Sequence, residues 1–141
     1  MKHLITFTKR LPILFLTVII IITTSGCTPD EEPGISYIDW NDKDMRSEQF
    51  VNTLLNGDYT IAAEGFDPEM ARALGVSGLR RAWLSTVRVA GTFDSVKEII
   101  FSEHEEYEIY DVITQHANRN LNTRVVFSPD GQIAGLFFTY V

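Results

Sequence analysis

The C-terminal stretch from Asn120 to Val141 constrains the fold most strongly, because it has the pattern of a β-hairpin. Two runs rich in β-branched and aromatic residues flank the turn sequence Ser128–Gly131. Its proline presets φ at the first turn position, its aspartate tolerates the bridge region, and its glycine accepts the positive φ that closes a bulged turn. A three-residue loop over Pro129–Gly131 then pairs Ser128 with Gln132.

This register sorts the side chains of the hairpin onto two faces, since successive residues of a strand point to opposite sides. The face that we expect to pack on helices carries Leu121, Thr123, Val125, Phe127, Ile133, Gly135, Phe137 and Thr139. The opposite face carries Asn122, Arg124, Val126, Ala134, Leu136, Phe138 and Tyr140. The last strand is therefore apolar on both sides.

Residues 1–26 have the pattern of a lipoprotein-type signal peptide. A basic start precedes an apolar run from Leu11 to Ile22 and a small-residue segment before Cys27, the only cysteine. This order is typical of a secretory signal, and the run is shorter than the roughly 20 residues that span a bilayer. The Ser-Gly-Cys ending resembles the lipobox of prokaryotic lipoproteins, in which the cysteine is lipidated, although Thr24 stands where that motif usually has leucine.

The alternative is an uncleaved N-terminal anchor. Both interpretations predict an extracytoplasmic body that is anchored to the cell membrane.

The remainder of the chain is strongly acidic. Removing residues 1–26 takes away three of the twelve basic side chains and none of the nineteen acidic ones, so the formal charge goes from −7 to −10. Such a charge repels phosphate backbones, which argues against nucleic acid as a partner. It also predicts no polybasic patch for anionic lipid, so membrane attachment should come from the N-terminus alone. A single cysteine excludes an internal disulfide and a multi-cysteine metal site.

Residues 27–46 are predicted to form an acidic flexible tether. Asp30–Glu32 repel one another, and two prolines stiffen the segment. Trp40, with Ile35 and Ile38 nearby, is the exception. We expect this short apolar segment to dock on the domain, and the alternative is that it stays exposed.

Residues 47–141 are predicted to form one α+β domain that begins with four helices. The signals at the helix ends are Asn56-Gly57 after the first, Asp58 before the second, Asp67-Pro68 before the third, Ser77 before the fourth and Gly91 after it.

From Thr92 onward, the hydrophobic period changes from helical to alternating. The pattern predicts strands at Phe93–Phe101 and Tyr107–His116, followed by the two strands of the hairpin. The connections at 102–106 and 117–120 are short, which favours a four-stranded antiparallel meander with the helices on one sheet face.

The helical sequence FVNTLLNGDYTIAAEGFDPEM, then Trp83 and Gly91, and the ending RVVFSPDGQIAGLFF resemble the domain of unknown function 3887 in the nuclear-transport-factor-2-like superfamily. The similarity covers about Ser47 to Tyr140, and VVFSPDGQIAGLFF is its most specific part. It implies a cone-like fold, with helices packed into a strongly curved sheet. It also implies an association with secreted serine α/β-hydrolases, whose Gly-x-Ser-x-Gly motif this sequence lacks. The family has no established catalytic residues to carry over.

The residues themselves predict no catalytic group, metal site or cofactor. Glu103–Glu106 includes His104 and resembles a metal-ligand cluster, but it lies in a predicted turn where alternating side chains point apart. Tyr110, Asp111 and His116 suggest acid–base chemistry, because related cone folds include isomerases and dehydratases that use these residue types. However, Asp111 should point away from the face that Tyr110 and His116 share.

Two surfaces are candidates for binding. The aromatic side chains that could line a ligand pocket, although such spacing is more often plain core, are Tyr59, Phe66, Trp83, Phe127 and Phe137. The candidate dimer or partner face consists of Arg124, Val126, Leu136, Phe138 and Tyr140. Left open, this face would exceed the apolar patches that monomers usually tolerate, so a homodimer or a partner protein should bury it. The alternative is that a curved sheet lets a helix or the Trp40 segment cover it.

These patterns favour a membrane-tethered extracytoplasmic binding or interaction module without catalysis of its own. It would recruit a partner protein or sense a small apolar ligand. One alternative is a small isomerase-type or hydrolase-type enzyme that uses the cone cavity. Another is a structural helper of a separately encoded secreted hydrolase.

Overall fold

Glycine and aspartate set the ends of the helices. The computed structural model describes residues 38, 39, 42 and 45–141. The helices are α1 (Arg46–Asn56), α2 (Tyr59–Glu64), α3 (Pro68–Ala73) and α4 (Gly75–Ala90). Gly57 ends α1 in the left-handed conformation, and Asp67 caps α3 by accepting a 2.7 Å hydrogen bond from the amide of Met70. The predicted signal peptide, the lipid-attachment residue Cys27 and Trp40 lie outside the described residues.

The predicted start of α4 at Ser77 is wrong. Gly75 adopts a φ of 58° and lets the chain turn directly from α3 into α4, so Ser77 lies within the first turn of that helix. None of the described helices has the length and apolar character needed to cross a bilayer.

Packing in the domain begins before residue 47, within the segment predicted as tether. Ile38 belongs to the hydrophobic core with 3% of its surface exposed. The amide of Asp39 donates a 2.7 Å hydrogen bond to the side-chain oxygen of Gln49 in α1. Arg46, the first residue of α1, is only 2% exposed. The flexible part of the predicted tether therefore cannot extend unbroken to residue 46.

The four strands form an antiparallel meander in the order β1-β2-β3-β4, as predicted. They are β1 (Phe93–His104), β2 (Tyr107–His116), β3 (Leu121–Phe127) and β4 (Ile133–Tyr140). β1 is longer than expected, because Glu105 takes a φ of 57° and allows a tight connection to β2. The fold is thus α+β, with four helices followed by an open four-stranded sheet.

The pairing of β4 departs from the predicted register at one extra residue. Ser128 does pair with Gln132, but Phe127 then lies opposite Ile133 while Val126 lies opposite Gly135, so Ala134 is a bulge. The bulge follows from a second set of bonds. Ile133 donates to the carbonyl of Gly65 (2.7 Å) and accepts from the amide of Asp67 (3.0 Å), which fixes the start of β4 to the α2–α3 linker.

The bulge reverses the predicted faces of β4. Leu136, Phe138 and Tyr140 lie opposite Val125, Thr123 and Leu121 on the helix side of the sheet. Gly135, Phe137 and Thr139 lie on the outer side, opposite Val126, Arg124 and Asn122. The assignment of Gly135, Phe137 and Thr139 to the helix-packed face is therefore wrong, as is the assignment of Leu136, Phe138 and Tyr140 to the outer face.

The core lies between the helices and the inner face of β2, β3 and β4. Its fully buried members include Phe50, Val51 and Leu54 from α1, Leu79 from α4, and Leu121, Val125 and Phe127 from β3. Phe138 packs on this core, with its ring centroid 5.5 Å from that of Trp83 in α4.

A buried cation holds α1 against the sheet. The guanidinium of Arg46 forms an ion pair with Glu108 at the start of β2 and lies over the rings of Phe127 and Tyr110. Such a pairing is energetically tolerable because the charge has both a carboxylate and an aromatic face as partners.

A candidate ligand-binding cleft

An open cleft of about 440 Å³ lies where α1, α2 and α4 meet the start of β1 and the end of β2. Its walls are mostly apolar, with a few polar groups. The lining residues are Leu54, Leu55, Tyr59, Trp83, Leu84, Val87, Arg88, Gly91, Thr92, Phe93 and His116. A concave, largely apolar site with few polar groups is the usual form of a small-molecule site.

The turn from α4 into β1 forms one end of the cleft. Gly91 has a φ of 89° and ends α4. A Cβ atom at this position would lie only 2.9 Å from the side-chain nitrogen, Nδ2, of Asn118. The backbone amide of Asn118 in turn donates a 2.8 Å hydrogen bond to the carbonyl of Ala90. The turn is thus clamped to the β2–β3 loop, and a glycine is required for that close approach.

His116 is the buried polar group of the cleft. Its Nδ1 donates to the carbonyl of Gly91 at 2.9 Å, since a carbonyl can only accept. Its Nε2 lies 3.1 Å from the hydroxyl of Thr114, which also lies 3.2 Å from the carbonyl of Leu121. The hydroxyl has a single proton, which it can donate to the Leu121 carbonyl or to the Nε2 of a neutral ring, so Nε2 shares this partner whereas Nδ1 has its own.

Phe93 and Arg88 add an aromatic ring and a positive charge to the cleft. The ring of Phe93 packs edge-on against that of His116, with centroids 5.7 Å apart. Arg88 is an exposed residue of α4, and it brings a positive charge to the cleft. The cleft therefore suits a ligand with an apolar body and a small polar or anionic group.

The structure brings together only two of the five predicted pocket residues. Tyr59 and Trp83 line the cleft. Phe66 and Phe127 are buried in the core, where they fill space and do not face this cavity. Phe137 is 57% exposed on the outer side of the sheet, because the bulge at Ala134 reverses its direction. It lines a separate groove of about 270 Å³ on that side, and not the cleft beside α4.

Sequence reasoning missed most of the cleft lining. Leu54, Leu55 and Val87 have the spacing of ordinary core residues, and nothing in the pattern shows that they stop short of filling the space. The sequence pattern indicates His116 only as a candidate for acid–base chemistry. A glycine that ends a helix directly before a strand was the available signal, since it places the last turn of α4 near the end of β2.

The outer face of the sheet has a polar centre. Arg124 donates two 2.8 Å hydrogen bonds, from Nε and Nη2, to the two carboxylate oxygens of Asp111. Asn122 donates a third, also 2.8 Å, to the same carboxylate. The bonds from Arg124 hold the pKa of Asp111 below its ordinary value of 3.8, against the opposing effect of burial, and they raise the pKa of Arg124.

The predicted partner face is therefore only partly on this surface. Arg124 and Val126 lie on the outer side, as expected. Leu136 and Phe138 pack toward the core. The hydroxyl of Tyr140 donates a 3.2 Å hydrogen bond to the carbonyl of Thr86 in α4, which ties the end of β4 to the helix side.

The predicted acid–base residues are separated as expected. Tyr110 and His116 lie on the helix side of β2, whereas Asp111 is opposite Arg124 on the outer side. Within residues 38–39, 42 and 45–141, no group of three His, Cys, Asp or Glu side chains is arranged to hold a metal ion.

Comparison with protein families gives a match over most of the folded domain. The model of a family described as protein of unknown function (DUF3887) matches residues 47–136, well over half of the chain. Neither the search of curated proteins nor that of solved structures returned a match.

Proposed function

The chain belongs to the DUF3887 family of proteins of unknown function, and from that starting point we propose that it is a membrane-tethered extracytoplasmic binding module. The N-terminal pattern supports the tether, since a basic start, an apolar run and a Ser-Gly-Cys ending are typical of a lipoprotein signal. We further propose that the domain has the cone-like shape of the nuclear-transport-factor-2-like superfamily, and that the cleft is the open end of the cone.

The observation that carries the binding role is the open apolar cleft. Leucine, valine and aromatic side chains line it, and a volume of about 440 Å³ falls within the range of about 300–1,000 Å³ typical of small-molecule sites. Arg88 supplies a positive charge. The ligand class that fits is a small aromatic or aliphatic molecule carrying one anionic group.

Filling the cleft tests this role. The probe is anilinonaphthalene sulfonate, an apolar dye with one anionic group, added to the full chain in mild detergent below its micelle concentration. Val87 lines the cleft, and the change Val87→Trp should weaken dye binding by tenfold or more because the indole occupies the ligand volume.

Val89 provides the matched control. It lies on the same helix but is exposed and does not line the cleft, so Val89→Trp should leave dye affinity unchanged. Equal dye affinity in the two variants, with matching melting temperatures, would rule out the cleft as the binding site.

The alternative role, a small enzyme of isomerase or hydrolase type, would use the same cavity. It would require His116 to exchange a proton with the ligand. Both ring nitrogens of His116 already have partners, the Gly91 carbonyl and the Thr114 hydroxyl, which favours a binding role over an acid–base role. Turnover of a candidate substrate that His116→Asn abolishes, with dye affinity unchanged, would favour the enzyme.

We also propose that the outer sheet face, centred on Arg124, Val126 and Phe137, receives a second copy of this chain or a partner protein. Phe137 supports this, because a large aromatic ring is exposed beside the pair of Arg124 and Asp111. A secreted hydrolase, as the family resemblance suggests, is one such partner, and the module would then act as its accessory.

A further inference from the structure

We propose that the exposed side of α4 docks on the surface of an anionic membrane, with the helix lying along that surface. The docking surface is the arginine stripe, defined as Ser77, Arg80, Arg81, Leu84, Ser85 and Arg88. This inference rests on the proposed membrane tether, which would keep the domain near a bilayer.

The arginine stripe runs along the side of α4 that faces away from the core. Ser77, Arg81, Leu84 and Arg88 follow the spacing i, i+4, i+7 and i+11, which places them in one row on a helix. The buried residues Leu79, Trp83 and Ala90 occupy the opposite side. At about 1.5 Å per residue, the row is about 16 Å long, which suits a flat partner better than a point-like one.

Within residues 38–39, 42 and 45–141, the arginines of the stripe take part in no ion pair. Arg80, Arg81 and Arg88 are exposed and form no ion pair with any residue in the described part of the chain. The sequence of α4 contains no Asp or Glu. The net charge of −10 over residues 27–141 does not reveal this local concentration of arginine, and the test below decides whether it serves as a patch for anionic lipid.

One acidic cluster, Glu103 to Glu106, lies at the far end of β1. β1 begins three residues after α4 ends, and it runs to His104 before the exposed residues Glu105 and Glu106. At about 3.3 Å per residue, the strand carries these carboxylates up to about 35 Å from the α4 end. An anionic surface would thus attract the stripe and repel the tip of the β1–β2 hairpin. This difference would orient the domain on the surface.

The surface between the arginines also suits lipid headgroups. Two adjoining shallow grooves share Arg81 and Leu84, and they have volumes of about 490 and 360 Å³. Leu84 is 45% exposed between them. An apolar side chain flanked by arginines can contact the acyl boundary while the guanidinium groups bind phosphates. This combination favours a lipid surface over an acidic protein segment, which would not require the exposed leucine.

The test uses the full chain with a fluorescent label on the stripe, mixed with lipid vesicles. The background variant Cys27→Ser removes the only cysteine, and with it the proposed lipid attachment, so Ser85→Cys alone carries the dye and reports docking of the stripe without the lipid. Nitroxide-bearing lipid should quench this dye in vesicles of phosphatidylglycerol with phosphatidylcholine, and not in phosphatidylcholine alone. The control label at Ser102→Cys, on the outer side of β1, should stay unquenched in both.

Each arginine near an anionic surface changes the docking equilibrium by about fivefold, so Arg80→Gln, Arg81→Gln and Arg88→Gln together should lower the docked-to-undocked ratio by more than tenfold. Arg119→Gln, outside α4, should have little effect. High salt should release the stripe, because the screening length falls from about 10 Å at 0.1 M to about 3 Å at 1 M.

The proposal would be overturned if the dye at position 85 were quenched in neither type of vesicle. It would also be overturned if the dye were quenched equally in both types. Quenching only after an acidic protein is added would assign the stripe to a protein partner and would also overturn it. Co-flotation of the wild-type chain, which keeps Cys27, with neutral vesicles reports the tether separately, so failure of docking and failure of tethering are distinguishable.

Discussion

The guanidinium carbon of Arg46 lies 3.9 Å from the centre of the Phe127 ring, so the first residue of α1 is stacked on the last residue of β3. The same guanidinium pairs with Glu108 on the neighbouring strand. One side chain therefore connects the first helix to two strands. It also covers the C-terminal hairpin, since a side chain at Gly131 would lie 3.3 Å from the Arg46 Nη1.

Arg46→Met should destabilise the domain by about 3 kcal/mol, because it leaves Glu108 partly buried without its cation. Urea unfolding followed by far-UV circular dichroism measures this loss. Adding Glu108→Gln should restore part of it, since the carboxylate that paired with Arg46 is then replaced by a neutral amide. Arg72→Met, an exposed arginine in α3, is the control and should leave the midpoint unchanged. Equal midpoints for Arg46→Met and Arg72→Met would contradict the role of Arg46.

Phe138→Ala should cost about 2 kcal/mol or more, whereas Phe137→Ala should cost about 0.5 kcal/mol or less. The reason is the bulge at Ala134, which turns Phe138 toward Trp83 and leaves Phe137 exposed. The two neighbours are each other's control, because they differ only in the face that they occupy. Thermal unfolding of both variants decides the register, and the reverse order of stabilities would restore the register without a bulge.

Asp111→Asn should remove part of the pH dependence of folding. The folded-state pKa of Asp111 is held below its ordinary value of 3.8 by the hydrogen bonds from Arg124, so its stabilising effect is fully present above that value. The effect is lost as the pH falls through the lower, folded pKa. The variant should therefore be less stable by about 1 kcal/mol at neutral pH, a modest figure because the Arg124 side chain is 49% exposed.

Unfolding of wild type and Asp111→Asn in urea, measured from neutral pH down to strongly acidic pH, should show the two curves converging at low pH. Arg124→Gln is the partner variant and should give a similar curve, since it removes the same pair. A difference between wild type and Asp111→Asn that grows as the pH falls would contradict this account.

Phe137→Glu should convert the chain from dimer to monomer if a second copy covers the outer sheet face. The substitution would replace an apolar ring with a negative charge on both copies of the interface, which is unfavourable. Sedimentation equilibrium of the full chain in detergent measures the change. Val89→Glu introduces the same charge on the exposed side of α4 and should leave the dimer intact. A wild-type chain that sediments as a monomer would eliminate the homodimer and leave only a different protein as partner.

Much of the architecture was predictable because local rules coincide with the global fold. Asp67 with Pro68, the glycines at 57 and 91, and the Ser128–Gly131 turn each act within a few residues, and the structure uses them as the sequence predicted. The period change at Thr92 likewise marked the start of the sheet correctly.

The features that were not predictable depend on contacts between distant residues. Ala134 is extra because Ile133 bonds to Gly65 and Asp67, which lie more than sixty positions earlier. Arg46 is buried because Glu108 and Phe127 approach it from the sheet. The cleft exists because the space beside Trp83 is not filled by side chains. An unfilled space between packed elements leaves no pattern in a single sequence.

The single unpaired residue at Ala134 also limits how this hairpin can change length. Adding or deleting one residue between Gln132 and Gly135 would exchange the buried and exposed side chains of the last strand, whereas a change of two would preserve them. Insertions or deletions at this point in related proteins should therefore involve an even number of residues. A homologue in which the number is odd should have its large apolar residues shifted by one position along the last strand.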